Sequence, residues 1–119
     1  MEGDVLELSL WFNSNKVIMQ ERLERTCSNA GVGIHIGHHA SYFKESPDFV
    51  ILEFDDGTTG QALVMKKSWN NCKHLIDISI GKWARNNGLW EAKLRQRTVR
   101  CYLTVISDYR RFLVSKVKP

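Results

Sequence analysis

The sequence predicts a mainly β domain of the α+β class, in which the strands form a barrel-like sheet. Short apolar runs recur along the chain and turn residues separate them, which indicates about seven strands and two short helices. The Asp56-Gly57 dipeptide supplies the positive φ of a tight hairpin between strands predicted over 49–54 and 59–65. Many short strands with frequent turn signals favour a barrel-like sheet over a parallel α/β sheet.

Each element follows from a local pattern in the sequence. A helix is predicted over 38–44, before the Ser46-Pro47 break. A second helix is predicted over 79–85, with Ser79 as its N-cap and a stop at 86–88, where the sequence is Asn-Asn-Gly. The runs that read as strands are 5–12 (which also fits an amphipathic turn of helix), 16–23, 32–36, 49–54, 59–65, 75–78, 99–106 and 111–117.

The chain is long enough to form one domain with its own core. It has 119 residues, of which 43% are hydrophobic and 25% charged, and this is the composition of a soluble globular domain. A domain of this size buries a core without disulfides or metals. The core is predicted to contain the aromatic residues within the strands and the second helix, namely Trp11, Phe12, Phe49, Phe54, Trp83, Tyr102 and Phe112.

The sequence argues against several classes of protein. No run approaches the roughly 18 apolar residues that cross a bilayer, and the acidic start at 1–4 is unlike a signal peptide. The three cysteines, Cys27, Cys72 and Cys101, are odd in number and widely spaced. Their spacing argues against a disulfide framework or a zinc finger and favours a reducing cytoplasm.

The two halves of the chain carry opposite charge. Residues 1–60 contain four Lys/Arg and ten Asp/Glu, a net charge of −6, whereas residues 61–119 contain thirteen and three, a net charge of +10. A basic half of this density indicates a polyanionic partner, with nucleic acid as the first candidate. The alternative is a solvated basic surface without a partner.

Two polar segments between predicted strands carry side chains suited to reading DNA. They are 21–29, which is rich in Arg and Glu, and 66–74, which has three lysines and no acid. Arginine pairs with guanine, asparagine with adenine and glutamate with cytosine, while Lys, Ser and Thr hold phosphates. Trp69 has no evident core to fill, so it is interpreted as a contact or a local lid. The alternative is two exposed loop tips, which are polar in any protein.

A second set of residues resembles the metal site of a nuclease. Asp48 and Glu91 could hold Mg²⁺ while Lys93 polarises the attacking water. Pro-Asp before a strand is also common turn chemistry, and Glu-x-Lys follows a turn here, so this nuclease is kept as an alternative function.

The histidines form a third candidate cluster. His35, His38 and His39, with Cys27 nearby in sequence, could ligate zinc. However, His35 alternates with Ile34 and Ile36, which is typical of an outward strand residue, and no fourth ligand has the right spacing. Surface or half-buried histidines are the favoured interpretation, and no metal or cofactor is expected.

The order of these elements resembles the B3 DNA-binding family over nearly the whole chain. The resemblance rests on the strand at 32–36 (Val-Gly-Ile-His-Ile), the hairpin at Asp56-Gly57, and the run from Gly81-Lys82-Trp83 to Asn87-Gly88-Leu89. Plant members have Gly and Trp adjacent, whereas Lys82 separates them here. The bacterial relatives, which are effector or target-recognition domains of restriction endonucleases, are more similar, particularly over 4–36.

The resemblance implies a B3-like fold over residues 1–119, with a seven-stranded open pseudobarrel and two short flanking helices. Two arms would grip the major groove of a duplex: an N-arm at 22–29 and a C-arm at 66–74. Base readout would fall to Arg22, Glu24, Arg25, Asn29, Asn70 and Asn71. Phosphate contacts would fall to Thr26, Ser28, Lys66, Lys67, Ser68 and Lys73, while Trp69 and His74 would pack on sugar or base edges.

The expected function is therefore sequence-specific binding of double-stranded DNA without cleavage, by a monomer in the cytoplasm. The resemblance also implies that the chain is one domain of a larger restriction-modification enzyme, whose catalytic nuclease domain is the second partner. Two alternatives stay open. They are the small Mg²⁺-dependent nuclease and a protein-interaction or inhibitor module whose basic half meets an acidic partner.

Overall fold

A computed structural model describes residues 2–12, 32–43, 49–66, 73–89, 91–92 and 98–119 of the chain. Every structural statement below concerns these residues. The strand predicted over 16–23 lies outside them, as do most of the two predicted arms and the nuclease candidates Asp48 and Lys93.

The described residues contain a closed barrel of seven strands. Around the barrel the order is β1-β2-β5-β4-β3-β7-β6, and β6 returns to pair with β1. All neighbours are antiparallel except β3 and β7, which are parallel. The strands are β1 (Val5–Phe12), β2 (Val32–His35), β3 (Phe49–Phe54), β4 (Thr59–Lys66), β5 (Lys73–Ile76), β6 (Arg100–Ser107) and β7 (Arg111–Ser115).

The barrel-like sheet is confirmed, but the expectation of an open pseudobarrel is wrong. The register from Val5↔Thr104 to Ser9↔Arg100 joins the first strand to the sixth along five residue pairs. This pairing satisfies the backbone groups that an open sheet would leave at its edges. The hairpin predicted at Asp56-Gly57 connects β3 to β4, and Gly57 has a φ of 89°, as such a turn requires.

The described residues contain one α-helix and one 3-10 helix with defined bounds, and Leu89, Glu91 and Ala92 are also α-helical. This set of helices does not match the two short flanking helices that the resemblance implies. The α-helix, α1 (Ile78–Asn86), is capped by Asp77, whose carboxylate accepts the Ser79 N–H at 3.1 Å. Ser79 is therefore not the N-cap, because Asp77 has the extended backbone of that position and the acceptor to fill it. The 3-10 helix (Gly37–Tyr42) covers most of the other predicted helix and is interrupted by non-helical backbone at His39.

The core fills the inside of the barrel, and α1 closes it against β2 and β4. In β1 the inward side chains are Leu6, Leu8, Leu10 and Phe12, as the two-residue period of a strand requires. Trp83 of α1 is 1% exposed. Phe12, Phe54, Trp83 and Phe112 lie in the core as predicted.

Three predicted core residues face outward instead. Phe49 is 51% exposed, while Trp11 and Tyr102 are half-buried on the outer surface. The reason is strand parity. The inward positions next to them are taken by Val50, Phe12 and Cys101, and consecutive residues of a strand point to opposite faces.

A candidate nucleic-acid interface on the outer face of the barrel

The two predicted arms fall on two connections between strands. The N-arm lies between β1 and β2, and the C-arm fills the connection from the end of β4 to the start of β5. Lys66 and Lys73 form the ends of those two strands, and His74 follows in β5. The other predicted contact residues lie outside the described residues: Arg22, Glu24, Arg25, Thr26, Ser28, Asn29, Lys67, Ser68, Trp69, Asn70 and Asn71.

The positions where the arms leave the barrel are fixed by strand register. Phe12 pairs with Val32, and we call this pair the N-root. Lys66 pairs with Lys73, and we call this pair the C-root. Because β2 and β5 are antiparallel, with His35 opposite His74, the start of each strand lies beside the end of the other. The two roots therefore lie at opposite ends of the β2–β5 pair, about 13 Å apart along the strands at roughly 3.3 Å per residue.

The outer surface between these roots consists of two rows of side chains, which together we call the platform. The row nearer the N-root, the apolar row, contains Trp11, Gly33 and Ile76 as direct neighbours on three strands. The row nearer the C-root, the polar row, contains Arg100, Ser9, His35 and His74 as direct neighbours on four strands.

Glycine at position 33 allows the Trp11 ring to approach the sheet closely. A Cβ there would approach Trp11 Cε3 to 3.4 Å and the Leu75 carbonyl oxygen to 2.9 Å. The Trp11 ring also meets the His74 ring edge-on, with centroids 5.5 Å apart. Trp11 is thus positioned by two neighbours on the platform, and it stays half exposed.

His74 is buried although it points outward. Its exposure is 3%, and its Nε2 lies 3.3 Å from Nδ1 of His35, within hydrogen-bond distance. In this structure the His74 ring supports two residues that are more exposed, Trp11 and His35. The packing of His74 on sugar or base edges stays a prediction.

His35 is half-buried and outward-facing, so its interpretation as an outward strand residue is confirmed. Its ring approaches Gly37, where a Cβ would lie 3.2 Å from Nε2. Within the described ranges, no three His, Cys, Asp or Glu side chains come together in a way that could hold a metal ion.

Arg100 supplies the positive charge of the platform. It is exposed at the start of β6, and no ion pair links it to another described residue. The nearest acid along β1, Glu7, pairs with Tyr102 in the next row, and its carboxylate accepts the Tyr102 hydroxyl at 3.3 Å. Arg111 is different, since its guanidinium lies 2.8 Å from the Glu53 carboxylate.

The apolar row extends beyond the platform. Ile76 pairs with Leu63 of β4, which pairs with Phe49 of β3, and the side chains of Leu63 and Phe49 are 46% and 51% exposed.

The sequence pattern assigned Trp11 and Phe49 to the core. A signal for Trp11 was present, because Glu7 and Ser9 share its parity in β1 and strand residues of one parity share one face.

The described residues offer little support for a covalent catalyst. Cys101 is fully buried, and this burial raises the pKa of its thiol to about 12, so the thiol stays protonated at neutral pH. Glu91, the one described member of the nuclease set, is exposed and helical.

No protein family, curated protein or solved structure matches this chain. Within the described part of the chain, no helix has the length and apolar character needed to cross a membrane.

Proposed function

We propose that this domain binds double-stranded DNA sequence-specifically, with the N-arm (22–29) and the C-arm (66–74) in the major groove. The observation that carries the proposal is the placement of the two roots at opposite ends of one strand pair, with the platform between them. The candidate segments 21–29 and 66–74 follow from residue types alone, so the position of the roots at two ends of one surface is independent support.

The spacing of the roots suits a duplex. The roots are about 13 Å apart along the strands, and two strand spacings of about 4.8 Å separate them across the sheet, so their separation is about 16 Å. This distance is comparable with the roughly 12 Å width of the major groove of B-DNA, a separation that lets two arms enter one groove from its two sides. The basic charge of residues 61–119 supplies the attraction to phosphate that such a complex needs.

Within this complex the residue types of the arms decide which side chains contact bases and which contact phosphates. Arg22, Arg25 and Asn29 of the N-arm and Asn70 and Asn71 of the C-arm read base edges, with Glu24 as an acceptor from cytosine. Lys66, Lys67 and Lys73 hold phosphates, together with the hydroxyl side chains of the arms. The domain acts as the recognition or effector part of a restriction endonuclease, and a separate catalytic domain performs cleavage.

A binding selection tests the proposal directly. The purified domain is incubated with a pool of random duplexes at physiological salt, with and without Mg²⁺. A short enriched motif on intact DNA is the expected result. The absence of enrichment overturns sequence-specific binding. Cleavage that requires Mg²⁺ and disappears in Asp48→Ala assigns the chain to the nuclease alternative.

Substitutions in the arms test which side chains read bases and which hold phosphates. Arg25→Ala and Asn70→Ala should each reduce discrimination at one base position by about 1–3 kcal/mol. Lys67→Ala should weaken the binding of all duplexes by the same factor. It should also lower the slope of log affinity against log salt concentration by the contribution of about one phosphate contact. Lys118→Ala, an exposed lysine at the other end of the chain, is the control. Unchanged affinity and preference in all three variants would show that these segments are not the arms.

A further inference from the structure

We infer that the polar row of the platform is a third DNA contact, in which Arg100 neutralises a backbone phosphate at the edge of the platform, one strand beyond β1. This inference rests on the proposed function, and it adds a residue that neither the arms nor the sequence motifs include.

The position of Arg100 is fixed by pairing across three strands. Arg100 lies opposite Ser9, and Ser9 lies opposite His35, which belongs to the β2–β5 pair that separates the roots. With strands about 4.8 Å apart, the Cα of Arg100 lies about 10 Å from that of His35. A long arginine side chain therefore lies at the edge of the surface that a duplex held by both arms would cover.

The charge of Arg100 is available to a ligand. The guanidinium of Arg111 forms an ion pair with the Glu53 carboxylate, and the Nζ of Lys116 donates a hydrogen bond to Asn87 at 2.9 Å. Arg100 has neither kind of partner among the described residues, and it is exposed. Beside it, Ser9 and the half-buried His35 carry side-chain groups that can donate hydrogen bonds, and neutral donors also contact phosphates.

Duplex DNA makes this surface a favourable place for a cation. Its backbone carries one negative charge per roughly 1.7 Å of helix axis, so any duplex seated between the roots brings phosphates close to the platform. The Trp11 ring bounds the row on the side of the N-root, and the strand ends of the C-root bound it on the other. The arms read the sequence, and Arg100 anchors the backbone without reading it.

The experiment compares Arg100→Ala with Arg110→Ala on the selected duplex and on a scrambled duplex, between 50 and 200 mM salt. Arg110 is an exposed arginine in the β6–β7 turn, at the end of β6 opposite to Arg100 and about 23 Å away along the strand. Thermal unfolding of each variant confirms folding, and neither substitution at these exposed positions should shift the unfolding temperature appreciably.

Arg100→Ala should weaken both duplexes by the same factor. Its loss of affinity across that salt range should be about 3- to 4-fold smaller than that of the wild type, which is the contribution of one phosphate. Arg100→Lys should restore the salt dependence, since a lysine also neutralises one phosphate. Arg110→Ala should behave as the wild type.

Two failures are distinguishable. If the wild type binds no duplex, the proposed function fails before the variants are compared. If the wild type binds and Arg100→Ala keeps its affinity and its salt dependence, the third contact is wrong while the arms stand. An effect of Arg100→Ala on only one of the two duplexes also overturns it, because a phosphate contact is blind to sequence.

Discussion

Two polar regions of this barrel use their side chains in opposite ways. The first, which we call the clasp, joins the β3–β4 turn to α1 and to the C-terminal segment through Asp55, Asp56, Trp83, Asn87 and Lys116. Asp55 accepts the Trp83 indole N–H at 2.7 Å and the Lys116 backbone N–H at 2.9 Å. Asn87 donates to the Trp83 carbonyl at 2.9 Å and accepts from Lys116 Nζ at 2.9 Å.

The platform is the second region, and its charge is not paired in this way. Arg100 makes no ion pair with a described residue, and His35 and Trp11 are held in place while staying half exposed. Where donors and acceptors are matched within the chain, they stabilise the fold. Where an exposed cation has no ion-pair partner among the described residues, it is available to a ligand. Substitutions in the clasp should therefore change stability, and substitutions on the platform should change binding.

The largest expected effect is in the clasp, at Trp83. Trp83→Ala removes a ring that is 1% exposed and that packs on Phe54 with centroids 5.4 Å apart. The free energy of unfolding should fall by about 3–5 kcal/mol, as measured by urea denaturation. Lys82→Ala on the exposed side of the same helix is the matched control. A loss below about 1 kcal/mol would mean that the clasp does not hold the helix to the barrel.

The next effect is at Asp55. Asp55→Ala removes the acceptor of the buried Trp83 indole and of the Lys116 backbone, which should cost about 2 kcal/mol of unfolding free energy. Because Asp55 lies away from the platform, the folded variant should bind the selected duplex as the wild type does. The affinity for the duplex is measured well below the unfolding temperature of the variant. A loss of affinity in the folded variant would contradict the assignment of stability to the clasp and of binding to the platform.

Gly33→Ala should affect both stability and binding. The new Cβ meets the Leu75 carbonyl oxygen at 2.9 Å and the Trp11 ring at 3.4 Å, so the backbone or the ring must move. We expect a stability loss of about 1–2 kcal/mol and a several-fold weaker duplex complex.

Gly57→Ala provides the matched control for that substitution. Its site is open, but its φ of 89° strains an alanine by a similar amount, about 1–2 kcal/mol. Equal destabilisation by the two variants with equal duplex affinity would show that the platform does not contact DNA.

The smallest effect concerns Asp56 and depends on pH. The Thr58 hydroxyl and backbone N–H donate to Asp56 Oδ1 at 2.6 and 3.0 Å, which lowers the pKa of this carboxyl below its ordinary value of 3.8. A pKa that is lower in the folded state stabilises the fold above pH 3.8, and this contribution is lost as the pH falls through the folded-state value.

Asp56→Asn should therefore reduce stability at pH 7 by well under about 1 kcal/mol, because the group is exposed and water competes for its partners. At pH 2 the variant and the wild type should converge. Urea denaturation at the two pH values measures the difference. A gap that persists undiminished at pH 2 would show that the Asp56 charge is not what stabilises the turn.

The sequence alone predicts most of the local structure of this protein. The alternation in 5–12 and the Asp56-Gly57 turn lead to strands and a hairpin where the structure has them. These features depend on neighbours a few residues apart, so a local pattern contains the information. The two arms were also chosen from residue types alone, and their roles in DNA binding stay predictions.

Other features depend on residues far apart in the chain. In β3 the run at 49–54 is apolar at both parities apart from Glu53, which shares the parity of Phe49. The sequence therefore holds a single polar signal, and the packing of Val50, Leu52 and Phe54 into the barrel decides that Phe49 is exposed. Likewise, Asp77 rather than Ser79 caps α1, because the chain leaves β5 extended up to Asp77. Local propensity favoured both residues about equally.

What the sequence by itself determined is most strands of the barrel, the hairpin turn and the separation of charge between the two halves of the chain. The strand predicted over 75–78 is shifted to Lys73–Ile76, and the one predicted over 16–23 lies outside the described residues. Tertiary structure alone decided that β6 closes the ring on β1, and that the two roots stand at opposite ends of β2 and β5. It also placed Arg100 in one row with His35, two strands away, although 65 positions separate them in the sequence. The physical reason is that strand pairing is set by hydrogen bonds and packing between distant segments, and a local pattern specifies only which residues form a strand.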